Sequence, residues 1–194
     1  MPEYNEKKFE ESTLSREQIF HGQIFQVVKD LVSLPDGSMS SRELVFHNGG
    51  VAVAPITGDK LILVGQYRKA FEKFIFEVPA GKLEDDELND PKAAALRELE
   101  EETGYTAERL TEITSFYGTP GFSSEKTYLY FPVGLTKVES PRLHDEGEFL
   151  EMIEVTLPEA KMMIEAGQIC DAKTIMAVWY WELQNLKKQG DLDV

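Results

Sequence analysis

Residues 81–105 read GKLEDDELNDPKAAALRELEEETGY. The second half of this stretch carries the marks of one short helix. Asn89 or Asp90 can cap it, because a short polar side chain accepts the free N–H groups of a first turn. Pro91 suits the first helical position, where a missing N–H costs nothing, and Gly104 suits the left-handed residue that ends a helix. Between them Glu98, Glu101 and Glu102 stand at i, i+3 and i+4, so they share one face. Arg97 lies four residues before Glu101 and can orient that carboxylate, while Leu96 and Leu99 form a neighbouring stripe that can anchor the helix in a core. Three carboxylates on one face repel by roughly a few tenths of a kcal/mol per exposed pair. A divalent cation removes that cost, and hard oxygen ligands of this kind select Mg²⁺ or Mn²⁺. Helical spacing alone describes a solvated acidic face equally well, so the surroundings have to decide.

The bulk charge bears on the same question. The 194 residues hold 20 basic and 35 acidic side chains, a net −15. Such a chain has no basic footprint for nucleic acid. It also repels a phosphate compound unless a bridging cation inverts the local charge. The hydrophobic fraction of 42% is enough for a core. No apolar run reaches the roughly 18–20 residues that a membrane span needs, and the polar, acidic start is not a signal peptide. The single cysteine, Cys170, cannot form an internal disulfide. A soluble, cytoplasmic protein is the expectation.

Outward from the helix, strand-like stretches dominate. Ser12–Phe20, Phe25–Leu34 and Arg42–His47 read as a small antiparallel sheet, with Pro35-Asp36-Gly37 as a hairpin turn. Val51–Thr57 and Lys60–Tyr67 read as a strand pair around Gly58-Asp59, and Phe74–Val78 as a short strand before a Pro79-Ala80-Gly81 turn. After the helix come strands at Leu110–Tyr117, Lys126–Leu135 and Phe149–Thr156, an acidic loop at Ser140–Glu148, and helices at Pro158–Ala166 and Ala172–Lys188, the last capped by Asp171. Trp179 and Trp181 on that helix read as core or dimer contacts. The order of strands, helix, strands and two helices implies an α+β fold, an α/β/α sandwich with a mixed sheet. Residues 1–47 are expected to form the N-terminal sheet block and residues 48–194 the main domain.

The whole stretch from Gly81 to Tyr105 resembles the signature of the nudix hydrolase family: a glycine, a glutamate after five residues, then R-E-x-x-E-E-x-G and an apolar residue. Arg97 through Gly104 match the close. The family places seven residues between the first glutamate and the arginine; here Leu88–Leu96 makes nine. Insertion in a loop is thermodynamically cheap, but it leaves Glu84, Asp85, Asp86 and Glu87 as candidates for that first position. The resemblance implies a nudix-type sandwich and a metal site. Glu98 and Glu102 would be the most direct ligands, Glu101 a ligand or partner of a bridging water, and the main-chain carbonyl of Ala80 a further ligand. Two or three Mg²⁺ ions, with Mn²⁺ as an alternative, would be held.

Features outside the signature resemble the ADP-ribose pyrophosphatase group of that family. They are Pro120, sixteen residues beyond Gly104, together with Gln66-Tyr67-Arg68-Lys69, Glu77-Val78-Pro79-Ala80-Gly81-Lys82 and Asp171-Ala172-Lys173-Thr174. The resemblance implies hydrolysis of ADP-ribose to AMP and ribose 5-phosphate. It implies Glu146 as the general base and Glu148 as a metal ligand, with Glu151 the alternative base. Arg68 would contact the adenine or a phosphate, and Glu125 and Gly121, near Pro120, would serve the substrate too. Phe25 and Phe46, beside Phe20, are candidate stacking partners for adenine. A homodimer with exchanged N-terminal strands is also implied. Two other readings stay open: another nucleoside-diphosphate substrate such as NADH or a nucleotide sugar, and a nudix-fold sensor that binds without cutting.

Overall fold

The computed structural model describes residues 5–144 and 147–190. The chain divides into two compact units. The first contains β1 (Ser12–His21), β2 (Phe25–Ser33) and β3 (Met39–His47), an antiparallel sheet in the order β1-β2-β3. The Pro35-Asp36-Gly37 turn closes β2 onto β3: Gly37 takes φ +84°, and Asp36 accepts the Ser38 N–H at 2.9 Å. A second segment, Tyr117–Lys126, belongs to this unit and carries Pro120. It is stitched to β3 by Val45 N–H to the Phe122 carbonyl (2.8 Å) and Ser124 N–H to the Val45 carbonyl (2.9 Å). Sequence reading separated these two stretches, because a contact between residues so far apart leaves no local periodicity.

The second unit holds the rest: β4 (Gly50–Val53), β5 (Ile56–Thr57), β6 (Lys60–Arg68), β7 (Lys73–Glu77), β8 (Ala80–Lys82), α1 (Pro91–Thr103), β9 (Tyr105–Tyr117), β10 (Lys126–Lys137), β11 (Glu151–Thr156), α2 (Leu157–Glu165) and α3 (Ala172–Gln189). One sheet runs β8-β4-β10-β9 and is mixed, since β4 is parallel to β10 and antiparallel to β8. The other runs β11-β6-β5 with β7 added to β6. Successive residues of a strand face opposite ways, and β4 uses both faces. Val51 and Val53 pack with Ala94, Ala95 and Leu99 of α1 and with Tyr130. Ala52, with Ala54 just beyond the strand, packs with Leu61 and Leu63 of β6 and with Ala160, Ala177, Val178 and Trp181 of the later helices. The mixed sheet thus lies between α1 on one face and the second sheet with α2 and α3 on the other, the α+β sandwich expected.

Two details differ from the sequence reading. Val51–Thr57 is not one strand: Pro55, which has no N–H to give a ladder, divides it. β4 stays in the mixed sheet, and only Ile56 and Thr57 form the hairpin with β6 around Gly58. The Pro79-Ala80-Gly81 turn is partly a strand, because Ala80 and Gly81 pair with Ala52 and Val51. No helix among the described residues is long and apolar enough to cross a membrane.

Candidate active site on helix α1

Helix α1 is built as its sequence dictates. Asp90 accepts the Ala93 N–H at 3.3 Å, Pro91 opens the first turn, and Gly104 at φ +71° returns its N–H to the Glu100 carbonyl at 2.8 Å. Leu99 is fully buried and Leu96 packs beside it. That anchor turns the glutamate face toward β8, where Ala80 and Gly81 meet it.

Arg97 gathers the carboxylates. Its Nε and Nη2 donate to the two oxygens of Glu87 at 2.8 and 2.9 Å, and its Nη1 donates to Glu98 and Glu101, both at 2.8 Å. This fork holds Glu87 below the usual carboxylate range and pushes Arg97 further up. Of the four acidic residues left open by the longer loop, Glu87 is the one that Arg97 holds. The two added residues therefore bulge without displacing it.

Glu98 and Glu102 are treated differently. Burial pushes the partly buried Glu98 up to about 7, against the pull of Arg97, with Glu101 and Glu148 adding to the rise. Burial pushes Glu102 up to about 8; the Ala80 N–H, donated to it at 2.9 Å, opposes the rise, Glu98 and Glu148 add to it, and Arg68 lowers it. Gly81 permits the close approach of strand and helix. A Cβ there would fall inside the Glu98 carboxylate. On the other side, Val78 N–H donates to the buried Thr174 hydroxyl at 2.9 Å. The segment from Glu77 to Ala80, which joins β7 to β8, is therefore pinned to α3 at one end and to α1 at the other.

The donor set of Glu98, Glu101, Glu102 and the main chain at Ala80 is all hard oxygen, and Glu102 is buried with no ion-pair partner among the described residues. That chemistry fits a divalent cation. Among the described residues no group of three acidic, His or Cys side chains is already gathered closely enough to hold a metal. Arg97 holds an oxygen each of Glu98 and Glu101.

The other expected residues distribute as follows. Glu148 acts electrostatically on both Glu98 and Glu102. Glu146 lies outside the described residues. Glu151 starts β11, exposed and paired with Gly65. Arg68, at the end of β6, donates from Nε at 2.9 Å and from Nη2 to the same oxygen of buried Glu77. Phe25, Phe46, Gly121 and Glu125 belong to the first unit. Phe25 packs at 5.6 Å from Phe20, the Arg16 guanidinium covers the Phe46 ring at 4.8 Å, and Gly121 and Glu125 are exposed. Trp181 is core and Trp179 is exposed. Sequence reading missed Glu77 and its second cation, Lys173. The signal was a glutamate ending the apolar run Phe74-Ile75-Phe76, where a buried charge demands a partner.

A sandwich whose helix presses a buried and a partly buried glutamate against a glycine-bearing strand, with an arginine beside them, has the chemistry of a carboxylate cation site. The chain belongs to the nudix family: the NUDIX domain description matches residues 47–177. It is 47% identical over 179 residues to an ADP-ribose pyrophosphatase of Bacillus subtilis (strain 168), covering 92% of this chain and 96% of that one. It is 49% identical over 183 residues to a methanol dehydrogenase activator of Bacillus methanolicus, covering 94% and 98%. An ADP-ribose pyrophosphatase of Mycobacterium tuberculosis is 34% identical, with 86% and 80% covered. A solved structure described as an ADP compounds hydrolase superposes with a TM-score of 0.80 at 24% identity over 94% of this chain and 97% of that one, a likeness of fold.

Proposed function

We propose that this chain hydrolyses the diphosphate of ADP-ribose, adding one water to give AMP and ribose 5-phosphate. The observation that carries the chemistry is the pair Glu98 and Glu102, which burial drives upward; Glu98 shares Arg97 with Glu87 and Glu101, and Glu102 has no ion pair among the described residues. The substrate follows from the two ADP-ribose pyrophosphatases to which the chain is 47% and 34% identical.

Glu98, Glu101 and Glu102, with the Ala80 carbonyl and Glu148, would hold two or three Mg²⁺ ions, Mn²⁺ substituting. Bound there, the ions neutralise the diphosphate and lower the pKa of the attacking water. Arg97 keeps Glu98 and Glu101 in place, and Arg68 contacts a phosphate. Glu146 takes the proton of the water; Glu146→Gln should then lower kcat far more than it changes KM, and the same outcome in Glu151→Gln instead would move the base to Glu151. Phe25 and Phe46 stack on the adenine, and Gly121 and Glu125 serve the remote ribose. The exposed apolar residues of β1, Leu14, Ile19 and Phe20, suit strand exchange in a homodimer. The setting is cytoplasmic.

A panel of ADP-ribose, ADP-glucose, GDP-mannose and NADH with Mg²⁺, with products identified, tests this reading. ADP-ribose cleaved no faster than the others would sink it, and binding without AMP formation would make the chain a sensor. A second reading, stimulation of a methanol dehydrogenase, is favoured by the 49% identity to a protein of that name. A methanol dehydrogenase assay with and without the chain tests it; an unchanged rate sinks it.

A further inference from the structure

We propose that Glu100, the one glutamate of α1 outside the expected ligand set, is a positioning residue for the metal site. Its carboxylate ties the loop that carries Glu148 to the helix that carries Glu98, Glu101 and Glu102. The inference rests on the reading of Glu148 as a metal ligand.

Residues two apart on a helix do not share a face. Glu100 therefore leaves the face of Glu98 and Glu102, and what it meets is the loop of residues 138–150 between β10 and β11. This loop crosses the last turn of α1 in three steps. Val138 N–H donates to the Gly104 carbonyl at 2.9 Å. The Pro141 ring lies against Gly104, 3.7 Å from where a Cβ would stand. The Arg142 N–H then donates to Glu100 Oε1 at 3.1 Å. The Arg142 guanidinium contributes less. Its Nε lies 3.7 Å from Glu100 Oε2 and its Nη1 3.9 Å from Glu101 Oε1, beyond hydrogen-bond length, and the side chain is 55% exposed. The anchor is the charge-assisted bond from the main chain, made by a carboxylate that is itself 20% exposed.

Six residues further on, Glu148 acts electrostatically on Glu98 and Glu102. From its other side the loop is held by β11, where Glu151 pairs with Gly65 of β6. That hold refers Glu148 to the second sheet. The Glu100 bond refers it instead to α1, which bears its partner ligands. A metal constellation has to be held within about 0.5 Å of its working geometry, and an anchor on the same rigid element as the ligands serves that end. Without the Glu100 acceptor the Arg142 N–H turns to water, and the stretch of loop free to move lengthens toward Val138. Because β11 still holds the far side, the loss should be graded and not complete.

The test compares wild type, Glu100→Ala, Glu100→Gln, Arg142→Ala, Glu148→Gln and the double variant Glu100→Ala/Glu148→Gln. Two readouts are taken: kcat and KM for ADP-ribose with Mg²⁺, and Mn²⁺ affinity by electron paramagnetic resonance without substrate. Alanine suits a helix interior at least as well as glutamate, so Glu100→Ala should fold. It should lower kcat and weaken Mn²⁺ binding roughly fivefold each, with KM within about twofold. Glu100→Gln keeps an oxygen for the Arg142 N–H and should restore both. Arg142→Ala keeps the N–H and should match wild type within about twofold. The double variant should match Glu148→Gln alone, because Glu100 acts through Glu148. Wild-type kcat and Mn²⁺ affinity in Glu100→Ala, equal losses in Glu100→Gln and Glu100→Ala, or additive losses in the double variant overturn the inference while leaving Glu148 as a ligand. Wild-type Mn²⁺ affinity in Glu148→Gln instead removes the ligand reading beneath it, and the inference with it. The Mn²⁺ titration decides these points whatever the chain hydrolyses.

Discussion

Asp30 in the N-terminal sheet and Glu102 in α1 are both carboxylates removed from water, at 1% and 7% exposure. Asp30 receives Nε and Nη2 of Arg16 at 2.8 and 2.7 Å, with the Thr13 hydroxyl at 3.3 Å, and its pKa is held below the usual range chiefly by Arg16. Glu102 receives one main-chain N–H, faces Glu98, feels Glu148, and is pushed up to about 8 by burial. The same cost is met in two ways. Where the chain supplies the cation, the carboxylate holds the fold together. Where the chain withholds it, the carboxylate is left to be matched from outside, and stability is given up for function.

The sharpest way to break this contrast is to remove the carboxylates that burial raises, Glu102 and its neighbour Glu98, which shares Arg97 with Glu87 and Glu101. Partners one shell out from a metal typically cost 10–100-fold when lost, so Glu98→Gln or Glu102→Gln should lower turnover by more than about a hundredfold. Thermal stability should hold or rise, since a repelling or poorly solvated charge has gone. Near-normal turnover in either variant, or a sharp fall in Tm, would place these residues with Asp30 on the structural side. Added Mg²⁺ probes the same point without activity. A ligand that binds only the folded state stabilises it by about 2.7 kcal/mol at a hundred times its Kd. Wild type should therefore gain Tm in Mg²⁺, and the Glu98→Gln/Glu102→Gln double variant should not. An equal gain in both means the ion binds elsewhere.

The loop before helix α1 shows the other treatment, in Glu87, and this sharpens the comparison. Glu87 is matched by Arg97, so its removal should loosen that arginine, not take away a ligand. Glu87→Gln should lower turnover roughly tenfold, as expected of a partner one step from the ligands. A loss equal to that of Glu98→Gln would make Glu87 part of the reacting group, and no loss would make it mere scaffold.

Much of this was legible in the sequence, for reasons that differ by element. The α1 boundaries were readable because Asp90, Pro91 and Gly104 act locally, through capping and backbone angle. The shared face of Glu98, Glu101 and Glu102 followed from helical period alone. What escaped was everything decided across the fold. Leu88–Leu96 shows an insertion, but only the folded loop brings Glu87, among four acidic neighbours, to Arg97. Asp171 was readable as a cap, yet the meeting of Lys173 with Glu77 spans 96 residues and has no local signature. The stitch between β3 and the Pro120 segment is of the same kind.

The smallest effect expected lies with Asp30, and it tests the matched side of the contrast. Its lowered pKa means that the folded state holds this proton less tightly than the unfolded chain. Stability from the Arg16 pair is therefore complete above the ordinary aspartate value and is lost as pH falls through the lowered value of the folded state. Asp30→Asn should cost several degrees of Tm at pH 7. The gap from wild type should begin to close as the pH drops below about 4, where the unfolded chain's carboxylate takes up its proton before the folded one does. Because Arg16 already supplies the cation, the gap at pH 7 should be the same with and without Mg²⁺. A gap that persists unchanged at pH 3 would mean that Asp30 acts through shape and not charge. A gap that widens or narrows with Mg²⁺ would show that the matched carboxylate still answers to an outside cation, and the distinction between the two regions would fail.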